Sequence, residues 1–359
     1  MRRSAWTLFN RRAMLQAMSE LRRAPLYAKR CFMPYDAVVW TPELARFDAV
    51  QRPDAAPQGY DLLVAVVAVS VNPVDLKVRS MMAPTDAPRV LGFDAVGQVL
   101  AVGPQVAGFA PGDRVFYAGA AHRPGTNAAR HLVDARIVAR APTTWADADA
   151  AALPLTAITA WEALFERLRF QPLQAAQPGR LLVINGAGGV GSVALQLAHL
   201  SGIAATATAT RPESQAWCRR MGASEVIVHD ALADLPDMAF DRILCCHDTD
   251  RYFDTMARLV APGGLICALA GARQPHNLMP LFNKSAGFVW EYMFTRPLHA
   301  PPDMDRQGWI LAQIAALADA GRLRPTRTAT LHGLTPETLT EAHDRLATGA
   351  QIGKLAIVY

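Results

Sequence analysis

The hydrophobic pattern of this chain changes period once. From about residue 35 to 155, apolar residues come in short runs broken by turn signals. "DLLVAVVAVSVNPVD" predicts a strand ending in a Pro-marked turn, and "FAPGDRVFY" a Pro-Gly-Asp turn entering a strand. "VLGFDAVGQVLAVG" sets Gly92, Gly97 and Gly103 among apolar and β-branched residues. This part predicts a compact β-rich unit. "AALPLTAITAWEALFERL" then carries a helical period, and strands alternate with helices beyond it. "RLLVING" predicts a strand, and "SVALQLAHLSG" a helix apolar on most faces. "IAATATAT" is a strand, "PESQAWCRRMG" a helix, and "SEVIVH" and "FDRILCCH" are strands. "YFDTMARLVAPGG" predicts a helix with a Gly stop, and "LICALAG" a further strand. That order predicts a parallel sheet with helices on both faces, so the fold class is α/β with a second, β-rich domain. The closing "LAIVY" is strand-like.

Composition narrows the class. The 359 residues are 51% hydrophobic, enough for two domains, and no apolar run is long enough to predict a membrane span. The five cysteines lack zinc-knuckle spacing and are expected to be free thiols in a reducing, cytoplasmic setting. The formal charge of +5 is unevenly placed. Residues 1–32 carry Arg2, Arg3, Arg11, Arg12, Arg22, Arg23, Lys29 and Arg30 against Glu20 alone, so the remainder is slightly acidic. A specific nucleic-acid partner is therefore not expected for the body. The arm lacks the apolar stretch of an export signal, and we expect an accessory extension.

The densest chemistry lies at "LLVINGAGGVGSVALQLAHLSG", residues 181–202. Gly186, Gly188 and Gly191 form G-x-G-x-x-G after a predicted strand and at the start of a predicted helix. The first glycine permits a tight turn, the second lets backbone approach a pyrophosphate, and the third lets helix pack on strand. With Gly189 and Val190 they predict a dinucleotide cradle at a helix N-terminus. At the end of the next strand an NAD site wants an acid for the ribose 2'-hydroxyl. Here Thr210 and Arg211 stand, followed by Ser214. Arg grips a 2'-phosphate that a carboxylate would repel, so NADPH is the expected cofactor. His247, at a strand end, is expected to line the same cleft.

Several blocks in order carry a resemblance: "VSVNPVDLKVR", "LGFDAVGQVLAVG", "PGDRVFYAG", "ALPLTAITAWEALFERL", "GAGGVG", "ATRPESQAW", "WEYMFTR" and "GKLAIV". From about residue 34 to 359 the chain resembles the medium-chain dehydrogenase/reductase superfamily. It is most similar to the zinc-independent NADPH:quinone oxidoreductase branch, in a subgroup labelled zinc-type alcohol dehydrogenase-like. The resemblance implies a GroES-like catalytic domain at 33–157, a Rossmann NADPH-binding domain at 158–300, and a segment at 301–359 that returns to the catalytic domain. It also implies a homodimer. Thr156 and Thr159 would contact the carboxamide or phosphate, and Lys354 the cofactor phosphates. Asp75 and Asp94 match acids of the pattern and are expected to be structural. One departure is Ala129 and Arg130, where the pattern has Glu then Tyr, which puts the acceptor preference in doubt.

Matched by motif, the catalytic zinc ligands of the superfamily fall on Asn72, Phe93 and, nearly, Leu155. Phe and Leu cannot ligate zinc, so no metal is expected. Without a metal, alcohol oxidation loses the alkoxide stabilisation it needs. A quinone or conjugated enone already delocalises the incoming charge, so the expected partner is a small, planar, apolar acceptor reduced by hydride from NADPH. Asn72 is the candidate for positioning the acceptor and Tyr117 for a hydroxyl near the oxyanion. Phe93, Trp290 and Phe294 are candidate pocket walls. The alternatives are a 2-alkenal or enone reductase without quinone activity, and a non-catalytic NADPH-binding protein.

Overall fold

The computed structural model describes residues 34–359, so the basic arm and the reading attached to it lie outside the described residues. A small sheet pairs β1 (Tyr35–Thr41) with β2 (Arg46–Arg52) and β4 (Arg89–Val90). The β-rich unit is built on β3 (Asp61–Ser70), β5 (Asp94–Val102), β6 (Arg114–Tyr117), β7 (Arg130–Asp134) and β8 (Val138–Arg140). They are joined by β15 (Arg327–His332) and β16 (Lys354–Val358). The order is β15-β16-β3-β5-β6-β8, with β7 also on β3. The last strand of the chain thus returns to the first domain, pairing Ala356 with Ser70 antiparallel.

The third sheet holds β9 (Arg180–Ile184), β10 (Ala204–Thr208), β11 (Glu225–Ile227), β12 (Phe240–Cys245), β13 (Val260–Ala268) and β14 (Gly287–Trp290). Its pairings are parallel, in the order β11-β10-β9-β12-β13-β14. Chain direction across the sheet reverses between β9 and β12, and a ligand crevice opens where the carboxyl ends of two such strands diverge. The continuous run Leu181, Leu182, Val183 and Ile184 is wholly buried, as a central parallel strand covered on both faces requires.

Three local expectations change. "NPVD" opens a helix, Pro73–Met81, rather than a simple turn. Asn72 stands at its N-cap, Pro73 fits the first turn, and the Asp75 carboxylate accepts from the Asn72 N–H at 2.7 Å. The single helix expected at "AALPLTAITAW" is two, Asp147–Ala151 and Pro154–Trp161, because Pro154 has no N–H to continue the first. The second runs on as a wider π turn, Glu162–Arg167. The helix Thr249–Leu259 stops before Gly263, and β13 already begins at Val260 with a register shift against β12. Two further helices, Arg306–Asp319 and Pro336–Ala347, lie within the returning segment.

Candidate active site

The glycine junction sits at the topological switch point. β9 ends at Ile184, and the helix Gly189–Leu200 starts from an N-cap at Gly188 with no side chain capping it. The first N–H groups of a helix have no partner within it, so the uncapped end presents donors to an anion. The glycines differ in what surrounds them. A Cβ on Gly191 would stand 2.6 Å from the Gly186 carbonyl oxygen, and one on Gly186 would stand 2.8 Å from Ala207 Cβ. A Cβ on Gly188 would meet nothing nearer than Asn185 Nδ2 at 3.5 Å. Gly186 and Gly191 are therefore required by packing, while Gly188 and Val190 border the open side. Gly189 faces the catalytic domain, where a Cβ would lie 2.9 Å from both Lys354 Cδ and Thr156 Cγ2. Thr208 braces the turn, donating no side-chain length to the cleft: its Oγ1 accepts from Asn185 N at 2.9 Å. An uncapped helix end beside an open glycine fits the pyrophosphate of a dinucleotide.

The rim beyond β10 is exposed. Thr210 and Arg211 lie at the surface, and Arg211 Nη2 donates to the Ala350 carbonyl at 2.5 Å, while the other guanidinium donors meet no partner among the described residues. Ser214 is buried and donates to the Arg211 carbonyl at 2.8 Å. Its hydroxyl proton is therefore committed to the helix start, and only its lone pairs are open to a ligand. His247 is exposed just past β12, its ring 6.4 Å from that of Tyr252. It stands on the carboxyl edge of the sheet with the glycine turn.

The polar heart of the catalytic side is closed. Asn72 is 1% exposed, and both ends of its carboxamide are engaged: Nδ2 donates to Asp94 Oδ2 at 2.8 Å, and Oδ1 accepts from Lys354 Nζ. Asp94 is the hub of this cluster. Its Oδ2 also accepts from Ser70 Oγ at 2.7 Å and Lys354 Nζ at 3.1 Å, and its Oδ1 accepts from Leu155 N at 2.7 Å. Asn72, expected to position an acceptor, thus has both ends of its carboxamide engaged by the protein itself. Lys354, expected at the cofactor phosphates, points its ammonium at Asn72, Asp94 and the Val71 carbonyl instead of the glycine cradle. Burial pushes its pKa down, and the Asp94 carboxylate pushes it back up. Burial also raises the Asp75 carboxyl to about 7, against the lowering effect of its bond from Asn72 N–H.

Tyr117, expected to place a hydroxyl near the oxyanion, is closed in as well. It is wholly buried, stacks on His131 with centroids 5.5 Å apart, and its hydroxyl meets His131 Nδ1 at 3.2 Å. Burial raises its pKa far above that of a free phenol, so it is a poor proton donor in any case. His131 Nε2 lies 3.0 Å from the Pro124 carbonyl, which assigns the ring proton to Nε2 and leaves Nδ1 to accept from Tyr117. Burial lowers the His131 pKa to about 4.

Thr156 and Thr159 turn their hydroxyls back onto their own helix start, donating to the Leu153 carbonyl at 2.9 Å and the Leu155 carbonyl at 2.7 Å. Thr156 meets the glycine loop through its methyl group. The apolar wall is better assembled. Phe93 and Phe294 come from different domains, yet their ring centroids are 4.6 Å apart and both are buried. Tyr292 stacks edge-on against Phe294 at 5.5 Å. Trp290 stands apart: it is 43% exposed on the edge strand β14 and its ring packs on Phe288.

Asp94 is expected to be structural, but the sequence conceals its partners, since its donors lie 22, 24, 61 and 260 residues away and nothing local announces them. At the three positions matched to zinc ligands, Phe93 and Leu155 offer no donor atom and the Asn72 oxygen is held by an ammonium. Among the described residues no group of three or more His, Cys, Asp or Glu is placed to hold a metal ion. The donor set does not fit catalytic zinc. No helix among the described residues is long and apolar enough to cross a membrane.

Comparison with known proteins gives these features a lineage. Residues 58–142 match the model of the alcohol dehydrogenase GroES-like domain, and residues 221–357 that of the zinc-binding dehydrogenase. The chain is 43% identical over 315 residues to a zinc-type alcohol dehydrogenase-like protein of Staphylococcus aureus, covering 87% of this chain and 94% of that one. It is 35% identical over 230 residues to the NADPH-dependent alkenal/one oxidoreductase, chloroplastic, of Arabidopsis thaliana, covering 60% and 56%. A crystal structure of a putative zinc-dependent alcohol dehydrogenase protein from Rhizobium etli superposes with a TM-score of 0.85 at 43% identity, over 91% of this chain and 99% of that one. The chain belongs to the medium-chain dehydrogenase/reductase superfamily, with a GroES-like domain beside a Rossmann-like parallel sheet, and is an oxidoreductase of that family.

Proposed function

We propose that this chain is an NADPH-dependent reductase of a small planar acceptor, a quinone or a conjugated enone, working without a metal ion. The observation that carries the reading is the pairing of an uncapped, glycine-lined helix end with a Phe93–Phe294 wall, beside matched ligand positions where two residues lack a donor atom and the third has its oxygen held by an ammonium. The name of the Arabidopsis relative, which couples NADPH to an alkenal or enone, supports the same reaction class.

The bound dinucleotide supplies a hydride; the residues do the rest. Gly188 to Gly191 offer backbone donors to the pyrophosphate, and Arg211 offers free guanidinium donors to a 2'-phosphate. Phe93 and Phe294 hold a flat apolar acceptor and keep water from the reacting face. Three candidate hydroxyls are already engaged: Tyr117 bonds His131, and Thr156 and Thr159 bond backbone carbonyls. The proton that completes reduction therefore comes from solvent. The assembly is read as a homodimer, with the edge strand β14 and its exposed Trp290 as the face for a second copy.

The test is steady-state oxidation of NADPH and of NADH against a panel of quinones, enones and secondary alcohol–ketone pairs. Turnover with quinones or enones and a preference for NADPH are expected. Tight NADPH binding with no turnover on any acceptor would instead favour a non-catalytic binding protein.

A further inference from the structure

A lysine that is 3% exposed is rare enough to require an explanation. An ammonium has three donors, and each of those on Lys354 is spent: on the Val71 carbonyl at 2.8 Å, on Asp94 Oδ2 at 3.1 Å and on Asn72 Oδ1. The stem of the same side chain does something different. It passes under the glycine cradle, so close that a Cβ on Gly189 would stand 2.9 Å from Lys354 Cδ and 3.5 Å from Cγ. The preceding residue reinforces this contact: Gly353 donates its N–H to the Ala187 carbonyl at 2.9 Å, inside the cradle turn. Lys354 opens β16, which is paired to β3 of the catalytic domain through Ala356. One residue therefore touches both walls of the cleft.

We propose that Lys354 is a positioning residue whose ammonium is an internal cation cross-linking Asn72 and Asp94, and whose methylene stem is the floor on which Gly189 and the first turn of the cradle rest. Asn72 and Leu155, two of the three positions matched to metal ligands, both hydrogen bond into this cluster, through Lys354 and Asp94. An ammonium thus supplies the cross-link that the residues at those positions cannot make to an ion. The charge itself faces away from the cradle, so the lysine acts on the dinucleotide through shape. This rests on the dinucleotide part of the proposed function and on none of its acceptor chemistry.

Removing the ammonium alone would strand Asp94, so the pair is changed together. Lys354→Met with Asp94→Asn keeps a stem of similar length and removes both charges. Lys354→Ala with Asp94→Asn removes the stem as well. NADPH affinity is read by fluorescence or calorimetry on the full chain. The expected result is a Kd within about threefold of the parent for the Met pair and raised by about tenfold or more for the Ala pair. A Met pair weakened as much as the Ala pair would show that the charge serves the dinucleotide, and an Ala pair binding like the parent would show that the stem has no role. Either overturns the proposal. The unmutated protein gives a second reading that does not depend on the variants folding. On brief acetic anhydride treatment followed by mass spectrometry, Lys354 should stay unmodified with and without NADPH, while the exposed Lys77 reacts. Modification in the free protein that NADPH suppresses would place the ammonium at a phosphate and refute the proposal. If the parent bound no NADPH, the proposed function would fall first, and the labelling of the free protein would still decide whether the ammonium is closed off.

Discussion

The two sides of the cleft are built on opposite principles. On the catalytic side, Asn72, Asp94 and Lys354 satisfy one another, and Asp94 alone accepts from four donors. On the dinucleotide side, the helix beginning at Gly189 has no side-chain cap, and Arg211 keeps donors unspent at the surface. Buried polar groups must be paired, and a group left unpaired costs free energy unless a ligand meets it. The closed side is therefore architecture, and the open side is where the proposed dinucleotide would find its donors. The same contrast explains why three residue types suited to catalysis, Asn72, Tyr117 and Lys354, turn out to be spent on the protein itself.

The contrast breaks most severely at its hub. Asp94→Ala should strand the Lys354 ammonium and cost on the order of 3–5 kcal/mol, the usual penalty for unpairing a buried ion pair. Urea denaturation should show it in the absence of any nucleotide. An unchanged midpoint would mean that the cluster is not closed as described. Gly191→Val attacks the open side: its Cβ would enter the Gly186 carbonyl at 2.6 Å, and overpacking of about 1–3 kcal/mol should weaken NADPH and NADH binding alike by up to about 100-fold.

Arg211→Ala sharpens the open side further. Losing a charge-assisted contact of about 1.5–3 kcal/mol should raise the NADPH requirement by tenfold or more and leave NADH use nearly unchanged. An equal loss with both cofactors would remove the 2'-phosphate from the account. The smallest effect belongs to the closed side. Tyr117→Phe removes one hydrogen bond to His131, about 0.5–1.5 kcal/mol of stability, and should leave the pH profile of turnover where it was. A displaced profile would return the hydroxyl to the chemistry.

The His131 ring carries a pH signature of its own. Unfolded, it binds a proton near its ordinary pKa; folded, burial holds it off until about 4. Between those values the unfolded state binds the extra proton, so this group's contribution is intact above the ordinary value and is lost as pH falls toward 4. Relative to His131→Gln, the parent should lose about 2–3 kcal/mol of stability over that window.

How far the sequence speaks follows the same division. The strand–glycine turn–helix was legible because its parts are contiguous, and Gly186 and Gly191 answer local packing demands. The helix at Pro73–Met81 had a local signal too, an Asn-Pro with Asp three residues after the Asn, although a Pro-marked turn explained the same letters. Tyr117 was opaque for a different reason. Val115, Phe116 and Tyr117 are all fully buried on β6, so alternation along the strand gives no direction to any of them. The partners of Asp94 and Lys354 meet only when the last strand returns to β3, and no window along the chain contains both.

The claim that decides the rest is hydride delivery from NADPH without a metal. The direct measurement is NADPH oxidation with the best quinone or enone before and after exhaustive chelation, with added zinc as the third arm. The same turnover is expected in all three. Activity confined to a simple alcohol–ketone pair, lost on chelation and restored by zinc, would contradict it.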